Sequence, residues 1–309
     1  MGIKMKKEIL VLIIVFFTIT VKAQQDAQYT QYMYNMSILN PAYAGSYNAF
    51  TLNFLGRWQQ AGNGGASRTL SMAMSAPVGK NVGLGLSVVT DEIGPVAEQN
   101  VFGDFSYTLR LSEKSNLALG LKAGFTFLNI CLPCLNIVNE NDEAFTNQNI
   151  NKVEPNFGLG TFYYTDKFYV GLSIPNFLQT LHFLEKENQE RSAAEIKHFF
   201  LSSGYVFDLS KDIRLKPSFM VKASEGAPIS LDLSGNILLY DKFEFGVSYR
   251  LNQSISALIN VRASKSLRVG YAYDYTLTNL SNFKSGAHEV FVLFNFDFEK
   301  LKIRSPRFF

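Results

Sequence analysis

The sequence predicts an all-β chain, a transmembrane antiparallel outer-membrane β-barrel of about 14 strands. Three observations lead there. An apolar/polar alternation of period two recurs about fourteen times over residues 49–298, in runs near the roughly 9 to 11 residues that a tilted strand needs to cross a bilayer. The links between runs sort by length. The last run, Ala287 to Phe298, sets Val290, Val292, Phe294, Phe296 and Phe298 against Glu289, Asn295 and Asp297. A greasy strand at the end of a chain must hide its free edge, and pairing with the first strand does so by closing a barrel.

Taken in order, residues 1–23 read as an export signal. Lys4, Lys6 and Lys7 give a positive start, Ile9 to Ile19 an apolar core, and Val21-Lys22-Ala23 a cleavage site. The core is shorter than the roughly 20 residues of a membrane helix. The mature chain is expected to begin at Gln24, where no cysteine stands to take a lipid. The signal holds four of 29 basic and one of 26 acidic residues, so its removal takes the formal charge from +3 to 0. No basic excess is left for nucleic acid. Charged residues are 18% of the chain against roughly 25% in soluble domains, and aromatics reach 14%. An exported, aromatic-rich, charge-poor chain is a secreted sandwich or an outer-membrane barrel.

Residues 24–48 break the alternation. Gln24 to Tyr47 is rich in Gln, Asn and Tyr and contains Asn40-Pro41, so it suits neither strand nor helix. Fully extended at about 3.3 Å per residue it would reach some 80 Å, far beyond the barrel's height. It is expected to plug the lumen or to reach a periplasmic partner, with Gln28, Tyr29, Gln31, Tyr32, Asn40, Pro41 and Tyr43 as candidate partner-binding residues.

The barrel is expected over 49–298, with a tail at 299–309. Phe50, Leu52, Phe54 and Trp58 alternate with Thr51, Asn53 and Arg57; Leu70, Met72 and Met74 with Thr69, Ser71 and Ser75; Val82, Leu84 and Leu86 with Gly83, Gly85 and Ser87. Runs follow around Phe105 to Leu109, Leu117 to Phe127, Phe157 to Tyr164, Phe168 to Ile174, Phe199 to Phe207 and Ile213 to Val221. Leu231 to Leu239, Phe243 to Tyr249, Ile255 to Val261 and Leu267 to Tyr275 complete the set before the last strand. Tight polar turns, such as Thr165-Asp166-Lys167 and Tyr240-Asp241-Lys242, follow even-numbered strands. The longest links, Asn129 to Val153 and Pro175 to Ile196, follow odd ones, although two odd links are short. Outer-membrane barrels sort periplasmic turns from outside loops in this way, and a sandwich has no reason to.

Inward positions carry Arg57, Arg110, Lys122, Arg214, Lys216, Lys222, Arg250, Arg262 and Arg268 against Asp104, Asp232, Glu244, Asp274, Glu289 and Asp297. They line a selective aqueous pore or form a salt-bridged wall, and the wall is favoured because charged lumens are the norm in such barrels. Many inward glycines leave room for a plug. Trp58, Tyr163, Tyr164, Tyr240, Tyr271, Tyr273 and Tyr275 fall near strand ends or on outward faces, as interfacial girdles do. Cys131 and Cys134 have the spacing of a redox or zinc half-site. A zinc ion would need two more ligands, and His182, His198 and His288 are scattered. A local disulfide or an idle pair is expected rather than redox work. Those histidines are the only imidazoles and none has a nucleophile motif nearby. No catalytic residue, metal site or cofactor is expected.

Two stretches, Gln25-Asp26-Ala27-Gln28-Tyr29-Thr30-Gln31-Tyr32-Met33 and Leu39-Asn40-Pro41-Ala42-Tyr43-Ala44-Gly45-Ser46, resemble the opening of mature proteins of the PorP/SprF family of the type IX secretion system. Further likenesses follow in order at Ser67-Arg68-Thr69, Gly83-Leu84-Gly85, Asp91 to Pro95, Phe168 to Pro175, Glu225 to Pro228, Gly270 to Tyr275 and Gly286 to Glu289. Ala27 departs from the family, which often has Pro there. The resemblance implies an integral outer-membrane barrel of gliding Bacteroidetes-type bacteria. It also implies work with a periplasmic ring lipoprotein and its partner protein, and export or anchoring of a large surface adhesin through that adhesin's C-terminal domain. The alternative is a solute-specific porin, suggested by the polar lumen; an outer-membrane hydrolase is a third, weaker reading.

Overall fold

The computed structural model describes residues 30–47, 49–61, 67–134, 149–178, 197–224, 227–278 and 284–297. The expected export signal, the first mature residues Gln24 to Tyr29 and the tail at 299–309 lie outside them. Fifteen strand segments form one sheet: β1 (Ala49–Ala61), β2 (Ser67–Val78), β3 (Val82–Ile93), β4 (Val96–Arg110), β5 (Ser115–Ile130), β6 (Ile150–Thr165), β7 (Phe168–Ile174), β8 (His198–Tyr205), β9 (Phe207–Asp208), β10 (Ile213–Ser224), β11 (Ser230–Leu239), β12 (Phe243–Arg250), β13 (Ser254–Arg262), β14 (Leu267–Thr276) and β15 (Lys284–Asp297). β8 and β9 are two pieces of one strand, broken at Val206 and both paired to β10, so fourteen strands stand around the ring. Each strand pairs antiparallel with its neighbours in sequence, and β15 closes the ring onto β1 from Ala49↔Asp297 to Ala61↔Lys284 with one irregularity at Gln59/Ala61. This is the closure that the last run's free edge demanded.

Alternation decides which face looks out. Leu84, Leu121, Phe157, Leu172, Leu233 and Phe245 are exposed on the outward face, and polar partners such as Ser87, Asn156, Asn236 and Ser248 are buried within. An apolar band of that extent would aggregate in water and is stable against hydrocarbon. The protein is an integral outer-membrane barrel. Among the described residues no helix is long and apolar enough to cross a membrane.

Most short turns gather at one end, and only the links Gly94-Pro95 after β3 and Leu251 to Gln253 after β12 are short at the other among the described residues. The β11–β12 link is the three residues Tyr240 to Lys242, in which Tyr240 and Asp241 both have φ 54° and the Lys242 N–H donates to the Leu239 carbonyl at 3.0 Å, a left-handed pair whose twist matches a hairpin's. The links after β5 and β7 lie at the opposite end, which is therefore the outside. There β4, β5 and β6 run to 15, 16 and 16 residues. They overshoot the bilayer, and β4 begins at Val96, well before the run recognised from its alternation. The extension is stapled by a Cys131–Cys134 disulfide, with Cα atoms 5.3 Å apart, beside Leu128, Ile130 and Leu132. Tyr164 departs from the expected girdle: it points inward and stacks on Phe162 at 5.2 Å.

Candidate functional site

A ring of fourteen strands encloses more space than its own inward side chains can fill. Here the space is taken by residues 30–47. Two 3-10 turns, Tyr32–Tyr34 and Pro41–Tyr43, flank a single helical turn at Met36–Leu39. Tyr32, Met33, Tyr34, Leu39, Ala42 and Tyr43 are all buried. The segment bonds to β1, β2, β4, β5, β6, β7, β10, β12, β14 and β15. Contacts on so many sides of a closed wall are available only from inside it.

One side of the wall offers a neutral seat. Glycines on β3, β5, β6 and β7 let the segment's backbone and one amide lie directly on the strands. A Cβ at Gly83 would fall 2.1 Å from the Ala44 carbonyl oxygen, one at Gly120 2.0 Å from the Ala42 nitrogen, and one at Gly160 2.1 Å from Asn40 Oδ1. Gly45 has φ +65° where it meets Gly83, a conformation open to glycine because it has no Cβ. Hydrogen bonds fix the seat. Ser106 Oγ donates to the Ala44 carbonyl at 2.6 Å, Ser173 Oγ to that of Leu39 at 2.7 Å, and Asn40 Nδ2 to that of Thr161 at 3.0 Å. Asn40 Oδ1 accepts from Ala42 N at 3.0 Å and caps the turn that Pro41 opens. Lys122 Nζ pairs with Asp104 at 3.2 Å and donates to the carbonyl of Ile38 at 3.1 Å.

The other side is a charged clamp. Glu289 accepts the backbone N–H groups of Thr30 at 3.0 Å and Gln31 at 2.7 Å, and Arg57 bridges Asp274 at 2.6 Å and Glu289 at 3.3 Å. Nearer the short turns the Tyr34 hydroxyl donates to Glu244, whose carboxylate also takes Arg268 at 3.0 Å and Asn236 Nδ2 at 2.5 Å. The Tyr34 ring stacks on Phe291 with centroids 4.5 Å apart. Burial raises the Tyr32 phenol to about 12, and a hydrogen bond to Ser218 offsets part of that rise.

The sequence-derived residues fall into place unevenly. Arg57, Asp104, Asp232, Arg250, Arg268, Asp274 and Glu289 all face the lumen, each in an ion pair; Arg250 and Asp232 form a two-point pair at 2.7 and 2.8 Å. Lys122, Lys216, Lys222 and Glu244 are buried with them. Arg110, the last residue of β4, is exposed at the turn end and donates to the Ser112 carbonyl at 3.3 Å. Alternation assigned its face correctly and says nothing of depth. Arg214 and Arg262 sit half-buried near the same rim, and the Asp297 side chain lies outside the described residues. Gln31, Tyr32, Asn40, Pro41 and Tyr43 are buried against the inner wall, and Gln28 and Tyr29 lie outside the described residues. The Tyr34–Glu244–Asn236–Arg268 knot was not foreseen as a unit, although Glu244 and Arg268 carried the signal as inward charges. Among the described residues no group of three or more His, Cys, Asp or Glu could hold a metal ion.

Residues 21–294 match the family described as type IX secretion system membrane protein PorP/SprF. No curated protein matches the chain. Among solved structures the chain is similar in shape to the Pseudomonas putida toluene transporter TodX, at 12% identity over 86% of this chain and 95% of that one with TM-score 0.49. It is also similar to the Acinetobacter baumannii outer membrane protein Omp33, at 10% identity over 81% and 99% with TM-score 0.46.

Proposed function

Because the chain belongs to the PorP/SprF family of type IX secretion system membrane proteins, we propose that it is a non-enzymatic barrel supporting export and surface anchoring of a large adhesin or similar cargo, in a system that serves gliding. The observation that carries this reading over a solute porin is the occupied lumen. A segment that lies on wall glycines and is clamped by Glu289 and Arg57 is built to stay, whereas a porin needs a continuous aqueous path. The outer loops, carried high on β4, β5 and β6, would hold the cargo's C-terminal domain by strand addition or in a pocket. The short-turn end, where the segment joins β1, would face the periplasmic ring lipoprotein and its partner. Gln28 and Tyr29, which precede the clamped Thr30 in the chain, would serve a partner, while Gln31, Tyr32, Asn40, Pro41 and Tyr43 hold the segment in the lumen.

The test is purification of the tagged protein from its own outer membrane in mild detergent, with mass spectrometry of what accompanies it. A periplasmic ring lipoprotein or a large exported surface protein supports the export role. Isolation alone, together with discrete single-channel conductance in planar bilayers, would replace it with the porin reading.

A further inference from the structure

The outward face of the wall is notched where β15, β1, β2 and β3 run side by side. Gly56 forms the floor: a Cβ there would lie 2.5 Å from Trp58 Cη2, so the indole lies down over the glycine and becomes one wall. Phe54, Leu70, Met72, Val88 and Val290 complete a cavity of about 470 Å³. The hollow is open along its membrane side, which suits an acyl chain lying along the wall. All of these residues sit at outward positions of an outer-membrane barrel, so the notch opens into the acyl-chain region.

The row of residues above the notch has a different chemistry. Strand register aligns Tyr273, His288, Trp58, Arg68 and Glu92 across the sheet on the same outward face. The row lies toward the outside end, since Trp58 is close to where β1 stops at Ala61. Trp58, Tyr271 and Tyr273 mark the depth at which hydrocarbon gives way to head groups. His288 Nδ1 and the Tyr271 hydroxyl hold each other at 2.7 Å. Arg68 is exposed and makes no hydrogen bond or ion pair among the described residues. An arginine at this level buries its stem against apolar surface and keeps a planar fork of donors for an oxyanion, and phosphate fits that fork in two-point fashion.

We propose that this notch is a binding site for a phosphate-bearing lipid of the outer leaflet. One acyl chain lies in the cavity over Gly56, and the head-group phosphate meets Arg68 beside Trp58. Among the described residues of the row Arg68 is the one fixed cation, and Glu92, directly across the strands from it, limits the site to a single phosphate. Chain and head group are thus recognised by different residues, and substitutions can separate the two.

The experiment is native mass spectrometry of the protein extracted from its own outer membrane, followed by exchange into nanodiscs of lipid A, dephosphorylated lipid A or phosphatidylcholine. Wild-type protein is expected to retain one phosphate-bearing lipid and to prefer lipid A over its dephosphorylated form. Arg68→Gln should cut retention about fivefold, the size of one arginine–phosphate contact near a membrane surface. Leu70→Trp fills the cavity from a lipid-facing position and should reduce retention of either lipid A form, whereas Glu92→Gln should leave it unchanged or raise it. Folding of each variant is checked by heat-dependent gel mobility. Equal retention of the phosphorylated and dephosphorylated lipids, or undiminished retention in Arg68→Gln, would overturn the proposal. So would a photo-cross-linker at Val88 that captures a polypeptide in place of lipid.

Discussion

Placing methyl groups on the wall at Gly83 and Gly120 is expected to expel residues 30–47 from the lumen. The new Cβ atoms would lie 2.1 Å from the Ala44 oxygen and 2.0 Å from the Ala42 nitrogen, where real contacts are essentially never under 3.0 Å. Both obstacles are backbone, so the segment must retreat by about 1 Å at two points, and no rotamer change relieves it. Retreat is costly, because it pulls Tyr43 from Phe162 on the same wall, now at 5.1 Å, and disturbs Tyr34 where it stacks on Phe291 at 4.5 Å. Overpacking of this kind costs about 1–3 kcal/mol per site, so Gly83→Ala with Gly120→Ala carries roughly 2–6 kcal/mol against the seated state. At about 1.4 kcal/mol per factor of ten, even 3 kcal/mol shifts occupancy more than a hundredfold. A membrane-impermeant maleimide in opened outer-membrane vesicles reads the outcome at Ala42→Cys, which is shielded while the segment is seated. Planar-bilayer conductance gives a second reading. Labelling and conductance at the level of the glycine parent, in a barrel that still shows heat-dependent gel mobility, would refute the reasoning that the glycines are the seat.

Arg57→Ala should destabilise the barrel by about 3–5 kcal/mol in guanidinium unfolding from lipid vesicles, because it strands Asp274 and Glu289 as buried, uncompensated carboxylates; adding Asp274→Asn should restore part of the loss. Leu121→Arg, outward and mid-strand on β5, should cost about 2–4 kcal/mol in the same assay if that face meets the bilayer midplane, and Tyr240→Arg at the turn close to nothing. The buried Tyr32 phenol, at about 12, should titrate late in tyrosinate absorbance, and Tyr32→Phe should remove that step. Its folded value is above the ordinary 10.0, so its contribution to stability is complete below about pH 10 and is lost as pH climbs through 10 to 12.

What could be read from the sequence follows from what alternation encodes. Period two assigns faces, and the bilayer forces the outward face to be apolar, so the strand count, the β15–β1 closure and the inward charges were all legible. The first half of β4 was not. Between Val96 and Gly103 the outward positions are Ala97, Gln99, Val101 and Gly103, so the apolar stripe is carried by the neighbouring strand's Phe125 and Phe127 and β4 itself shows little alternation. The fate of residues 24–48 stayed open between plug and periplasmic arm because alternation reports only that the lumen is polar. The clue was available in the inward glycines Gly83, Gly120, Gly160 and Gly171, which cluster on neighbouring strands toward the short-turn end. Side chains missing from one patch of wall mean that something else fills it.

The lumen segment is held differently at its two ends, and that difference can be measured. Near β1 it rests on glycine backbone, a contact of shape that no change of charge alters. At Thr30 and Gln31 it hangs by the Thr30 hydroxyl from Asp274 and by two backbone N–H groups from Glu289, whose charge Arg57 balances. Removing the Glu289 charge leaves the seat intact. Glu289→Gln should therefore free the beginning of the segment to added protease while conductance stays at the wild-type level, and the glycine-wall variant should open the pore. If Glu289→Gln alone opened the pore, the seat would be the weaker attachment and the clamp would be what keeps the lumen closed.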